Sequence, residues 1–211
     1  MKKVFFVVMA TLMLASCAKS PEQKAEALIK EQLQQTLYHP ETYAPSGTQV
    51  DSAFAPYDDP VFYEKTLKLA KLIMVIDKYD EEAKSEKSSM SLWSGSYTSY
   101  GHNEYQEAEE KYNDAISKKE QATSEAQTIG EELKKMCVEE SKFIGFKATH
   151  TYRANNNAGQ TIGGKTLFLF DKDMTQIVAS YDMDGEEYKA VVYLWKIMNG
   201  ENSMADEATI E

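Results

Sequence analysis

Residues 103–136 read NEYQEAEEKYNDAISKKEQATSEAQTIGEELKKM. Within them Tyr105, Ala108, Tyr112, Ala115, Lys119, Ala122, Ala126, Ile129, Leu133 and Met136 follow one another at alternating steps of three and four residues. That is the spacing of a helix whose single seam packs on a partner helix. Four of the ten seam residues are alanines, which let the partner approach closely, and Lys119 is the one break in the seam. Asn103 with Gln106 three residues later reads as a capping box that starts the helix.

A partner lies just upstream. Asp59 can cap a helix that begins at Pro60 and runs to about Met90, with Phe62, Leu69, Leu72, Ile76, Tyr79, Ala83 and Met90 on one face. Each helix is about 45 Å long at 1.5 Å per residue. The link between them is short, so the two should pack as an antiparallel hairpin over residues 60–141.

Outside the hairpin the period changes. Phe146, Ala148, His150 and Tyr152 alternate with Lys147, Thr149, Thr151 and Arg153, which predicts a half-buried strand. Asn155 to Gly159 is turn material, Lys165 to Phe170 a second strand, and Gln176 to Tyr181 a third after the turn Asp171-Lys172-Asp173. Residues 43–55 read as an irregular strand before the hairpin. Ser20-Pro21-Glu22-Gln23 starts an N-terminal helix with a capping box, followed by Leu28, Ile29, Leu33 and Leu37 on one face. Residues 186–199 suit a final amphipathic helix, with a strand as the alternative because Val191-Val192-Tyr193 is β-prone. The expected fold is therefore α+β. A small antiparallel sheet of three or four strands is flanked by the first and last helices, the long helical hairpin is inserted between strands, and 199–211 form a disordered tail.

The beginning of the chain carries an address. Lys2 and Lys3 precede an apolar run from Val4 to Leu14, broken only by Thr11. A membrane-spanning helix needs about 20 residues, so this run reads as an export signal instead. Leu14-Ala15-Ser16-Cys17 resembles the lipobox of bacterial lipoproteins. The resemblance implies that residues 1–16 are removed and that Cys17 becomes the acylated first residue of a single domain, 17–211. In the enterobacterial sorting rule an Asp after the cysteine favours the inner membrane; Ala18 stands there, which leans towards the outer membrane. Two further segments, Leu37-Tyr38-His39-Pro40-Glu41-Thr42-Tyr43 and Tyr152-Arg153-Ala154-Asn155-Asn156-Asn157-Ala158-Gly159, resemble small uncharacterised lipoproteins and secreted proteins of Bacteroidetes. Those proteins imply an envelope address and no chemistry, and the hairpin lies outside the matching segments. Asp51-Ser52-Ala53 resembles a short O-glycosylation signal of exported Bacteroidetes proteins, which would place the glycan on Ser52.

Composition narrows the partners. Losing Lys2 and Lys3 with the leader leaves 21 basic against 34 acidic side chains, a net charge of −13. Such a chain repels phosphate backbones, which argues against nucleic acid, and it repels anionic headgroups, so the lipid alone is expected to hold it at the bilayer. With Cys17 acylated, Cys137 has no partner for an intramolecular disulfide and reads as a buried, inert thiol.

Candidate chemistry is sparse. His39, His102 and His150 stand in no metal-ligand spacing, and His150 reads as a core histidine. Asp182, Asp184 and Glu186 around Gly185 are a calcium candidate, although the regular ligand series of an EF-hand is absent and a solvated turn explains them as well. No Gly-x-Ser-x-Gly elbow or phosphate loop occurs, so no catalytic residue and no cofactor is assigned. The hairpin link from Trp93 to His102 places Trp93, Tyr97 and Tyr100 among Ser and Gly, the composition of an adaptable binding loop. The reading favours a non-enzymatic envelope lipoprotein that contacts a protein partner through the hairpin. The alternative is a small-ligand-binding or hydrolytic domain with a pocket between sheet and helices, lined by His150, Arg153 and several carboxylates.

Overall fold

The computed structural model describes residues 20–200. Residues 1–19, with the expected signal segment and Cys17, and the expected tail from residue 201 lie outside the described residues. In chain order the elements are α1 (Pro21–Thr36), β1 (His39–Ala55), α2 (Pro60–Trp93), α3 (Ser99–Cys137), β2 (Lys142–Asn155), β3 (Thr161–Phe170), β4 (Ile177–Asp182) and α4 (Glu186–Met198). They form the α+β fold with a hairpin inserted between β1 and β2. The chain divides into two compact units: residues up to Asp58 with Phe143–Asp184, and Asp59–Lys142 with the residues from Gly185 on.

The first unit is a four-stranded sheet in the order β1-β2-β3-β4 with α1 on it. Strands β2 and β3 pair antiparallel from Phe146↔Phe170 to Asn155↔Thr161, and β3 and β4 pair from Thr166↔Asp182 to Phe170↔Ile177. Strand β1 is longer than the sequence predicts because His39–Thr42 continue it: the Asn155 N–H donates to Thr42 Oγ1 at 2.8 Å. Ala25, Ile29 and Leu33 form one stripe of α1, and they are buried against Ala148, Phe168, Phe170 and Met174. The capping box forms as its sequence predicts: the Gln23 N–H donates to Ser20 Oγ, and the Ser20 N–H to Gln23 Oε1. Two glycines are dictated by close approach. A Cβ on Gly164 would lie 2.6 Å from the Tyr152 ring, and one on Gly145, at φ +154°, would lie 2.1 Å from the Phe170 carbonyl oxygen.

The second unit is the hairpin with α4 on its base. Asp59 caps α2 by accepting from the Val61 N–H at 2.8 Å. The α3 seam buries Ala108, Ala115, Ala122, Ile129 and Leu133, while Tyr105, Tyr112, Lys119 and Ala126 on the alternate positions are half-buried. The residues buried along the upper hairpin, Ala108, Ala115 and Ala122 of α3 and Ala83 of α2, are small, so the larger apolar burial is concentrated at the base, where Phe62, Ile129 and Leu133 cluster with Leu69, Leu72, Met136 and Trp195. Each such large side chain contributes about 1.5–3 kcal/mol on leaving water. Ion pairs bind the two helices along their length: Lys65–Glu132 and Lys68–Glu125 at 2.5 Å, and Lys119–Asp80. Their numbers rise along α2 as they fall along α3, which is the antiparallel register.

The last segment is the expected helix, and it groups with the hairpin unit, where it packs on α2. Tyr188 stacks on Tyr63 at 6.3 Å, Glu187 pairs with Lys71 at 2.7 Å, and Trp195 joins the base cluster. Its large apolar side chains find a matching cluster at the base of the hairpin. The start of α3 differs from the expectation. Thr98, not Asn103, is the N-cap, accepting from the Gly101 N–H at 3.0 Å. An extra turn of α3 can form because Gly101 has no side chain to meet Ser96, whose Oγ would be 1.9 Å from an added Cβ.

Candidate functional site: the hairpin tip

With α3 starting at Ser99, the link between the helices is only residues 94–98. Hydrogen bonds close it. The Ser96 N–H donates to the Trp93 carbonyl at 3.0 Å, Ser96 Oγ and Thr98 Oγ1 are 3.0 Å apart, and the His102 N–H reaches the Thr98 carbonyl at 3.0 Å. The tip is therefore a structured turn, stiffer than its Ser and Gly content predicts.

The three aromatic residues singled out from sequence divide. Trp93 is half-buried and meets Tyr100 edge-to-face, with ring centroids 5.6 Å apart and planes at 85°. Tyr100 stays 64% exposed, and its hydrogen bond to Glu104, followed by that carboxylate's charge, raises its pKa. Tyr97 touches neither ring pair and is fully exposed, and Leu92, one residue before Trp93, is 75% exposed. The structure thus brings Trp93 and Tyr100 together as a small platform and leaves Tyr97 and Leu92 in solvent. Leu92 was missed in the sequence; its signal was an apolar residue off the seam beside the link.

The other candidates fall into place singly. Ser52 is exposed on β1, between exposed Asp51 and buried Ala53. Asp182 accepts from the Asp184 N–H at 3.0 Å, the turn-capping role, and Glu186 pairs with Lys189 at 3.0 Å. Among the described residues no group of three or more His, Cys, Asp or Glu side chains is placed to hold a metal. Cys137 ends α3 half-buried against the base cluster.

His150 is a core residue, 1% exposed. Its Nε2 lies 2.9 Å from Tyr43 Oη and its Nδ1 3.0 Å from Thr48 Oγ1, so both ring nitrogens are engaged by β1 hydroxyls. The ring also stacks on Tyr152 at 5.7 Å and meets Phe168 edge-on. Burial pushes its pKa down, opposed in part by the Glu26 carboxylate. Arg153, three positions further along the strand, is exposed and falls on the opposite face, so the two residues named for a pocket do not converge. Comparison with known protein families, with curated proteins and with solved structures finds no match to this chain.

Proposed function

We propose that this chain is a lipoprotein of the bacterial cell envelope, held in a bilayer by acylated Cys17 and contacting another envelope protein through the tip of its helical hairpin. The lipobox-like Leu14-Ala15-Ser16-Cys17 supports the anchor, since two or more acyl chains hold a protein stably where one does not. The two Bacteroidetes-like segments support an envelope address, and Ala18 leans it towards the outer membrane. The role is non-enzymatic: the sequence offers no nucleophile motif, and His150 is occupied by Tyr43 and Thr48.

The observation that carries the contact is Tyr97. A fully exposed aromatic ring stands on a hydrogen-bonded turn beside exposed Leu92 and the Trp93–Tyr100 platform. A rigid exposed aromatic costs little ordering entropy when a partner covers it, and such residues anchor interfaces. Two variants test the reading. Cys17→Ala should leave the protein unprocessed or soluble; recovery at mature size in membranes would remove the anchor. Tyr97→Ala should weaken partner capture by more than about 1 kcal/mol while the fold melts as before. Unchanged capture would remove the contact.

A further inference from the structure

Charge is distributed unevenly along the hairpin. No Asp, Glu, Lys or Arg occurs from Ser88 to Asn103, in a chain of which 27% is charged. Those residues end α2, form the link and begin α3. Directly behind them the charge is acidic. Residues 86–111 hold five glutamates, Glu86, Glu104, Glu107, Glu109 and Glu110, against Lys87 and Lys111, so the net charge is 2 − 5, or −3. At 1.5 Å per residue all of them lie within about 17 Å of the link along the helix axes. An uncharged aromatic tip thus sits on an acidic collar.

The collar draws on both helices. Lys111 pairs with Glu107 at 2.7 Å, and that hydrogen bond and charge, followed by the charges of Glu86 on α2 and Glu104 on α3, raise its pKa. One cation is therefore shared among three carboxylates. Glu109 and Glu110 stand about 100° apart round α3, exposed and in no ion pair among the described residues. Tyr100 joins tip to collar: its hydroxyl donates to Glu104, and the ring is 64% exposed. A guanidinium can lie on such a ring and reach the carboxylate beside it.

These charges choose among occupants. A second copy would bring one acidic collar against another, and an anionic lipid surface would meet the same repulsion. A protein surface of opposite sign is attracted. We propose that the partner of the tip presents an apolar socket rimmed by lysine and arginine, with Tyr97 and Leu92 entering the socket and the glutamates behind the link meeting the rim. This deepens the contact reading above and rests on it. Aromatic anchors at the centre then hold the complex, and the charged rim steers its formation. The link is already closed by its own hydrogen bonds, so little ordering is left for the encounter.

The test uses the full chain in cells, with a benzophenone side chain at position 97 and brief irradiation. Glu109→Lys with Glu110→Lys reverses charge in the collar. Glu64→Lys with Glu131→Lys makes the same change in net charge at exposed sites near the base of the hairpin, far outside the screening length of about 8 Å. The collar pair should lower the adduct yield about threefold or more, and the base pair should leave it unchanged. The partner peptide joined to position 97, sequenced by mass spectrometry, should carry more Lys and Arg than Asp and Glu. Should the collar pair melt below the parent, Glu109→Gln with Glu110→Gln makes the same comparison at half the charge change. A collar pair no worse than the base pair, or a partner peptide without that basic excess, overturns the inference and leaves the contact standing. An adduct with a second copy of this chain, or with lipid alone, overturns the inference and the reading of another protein as partner. No adduct from the parent removes the contact and the inference together.

Discussion

Lys119, the one charged side chain in the α3 seam, is bonded to Asp80 of α2 across the helix–helix interface. Asp80 also pairs with Lys84 one turn along its own helix, at 2.5 Å. The break in the heptad is thus a cross-helix tie, and the aliphatic stem of Lys119 still covers the seam. The hydrogen bond from Lys119, then that from Lys84, draws the Asp80 pKa down to about 2. A carboxyl depressed in the folded state contributes stability above its unfolded pKa and loses it as pH falls through the folded value. Asp80→Asn should therefore flatten thermal stability between about pH 4 and pH 2, by no more than a few degrees, because the pair is partly exposed. Thermal melts followed by circular dichroism at both pH values check this; an unaltered pH slope would show that the tie carries no stability.

The seam alanines and the base cluster should respond in opposite ways to size. Leu133 is fully buried, so Leu133→Ala should cost about 2–5 kcal/mol by leaving a cavity. Ala115→Leu should cost about 1–3 kcal/mol by forcing two closely approached helices apart. Urea unfolding of both variants is the measurement. A stabilised Ala115→Leu protein would mean the helices are not closely packed there.

His150 gives a pH dependence of the other sign. Its pKa is lowered on folding, so the folded state disfavours the charged ring. The contribution is fully present above the unfolded pKa, about 6.5. It declines as pH falls from there towards the folded value. The groups facing it are Tyr43 and Thr48 of β1, Tyr152 and Phe168 of the sheet, and Glu26 of α1. The urea midpoint should drop between pH 7 and pH 5, and His150→Gln should be less stable at pH 7 yet nearly flat over that range. A variant with the same slope as the parent would place the titration elsewhere.

Ser52 is exposed on β1, where a transferase could reach its hydroxyl. An O-linked glycan there predicts that the intact mass of mature protein exceeds polypeptide plus lipid, and that Ser52→Ala removes the difference. A mass equal to polypeptide plus lipid rejects the modification.

Local chemistry was the legible part of this chain. The Ser20–Gln23 box and the Asp59 cap sit where three or four consecutive residues place them, and the seam from Ala108 to Leu133 follows from period alone. What required the fold was long-range. The hydroxyls on His150 come from Tyr43 and Thr48, more than a hundred residues away and on the far side of the inserted hairpin. The partner of α4 was equally hidden, since an amphipathic helix fits a sheet or a hairpin and only the cluster at Phe62, Ile129 and Leu133 decides. At the tip, Thr98 outcompeted Asn103 as cap because Gly101 admits Ser96, a contact that no spacing rule contains. That shift divides the three aromatics: Tyr100 enters the helix and reaches Trp93, and Tyr97 is left outward.

The most direct measurement is photocrosslinking in cells with a benzophenone side chain at position 97 and, separately, at position 77, an exposed site on α2 within the same helical unit. The account predicts one discrete adduct with an envelope protein from position 97, absent from position 77 and lost when Cys17→Ala releases the protein from its membrane. No adduct at 97, or the same adducts from both positions, would contradict it.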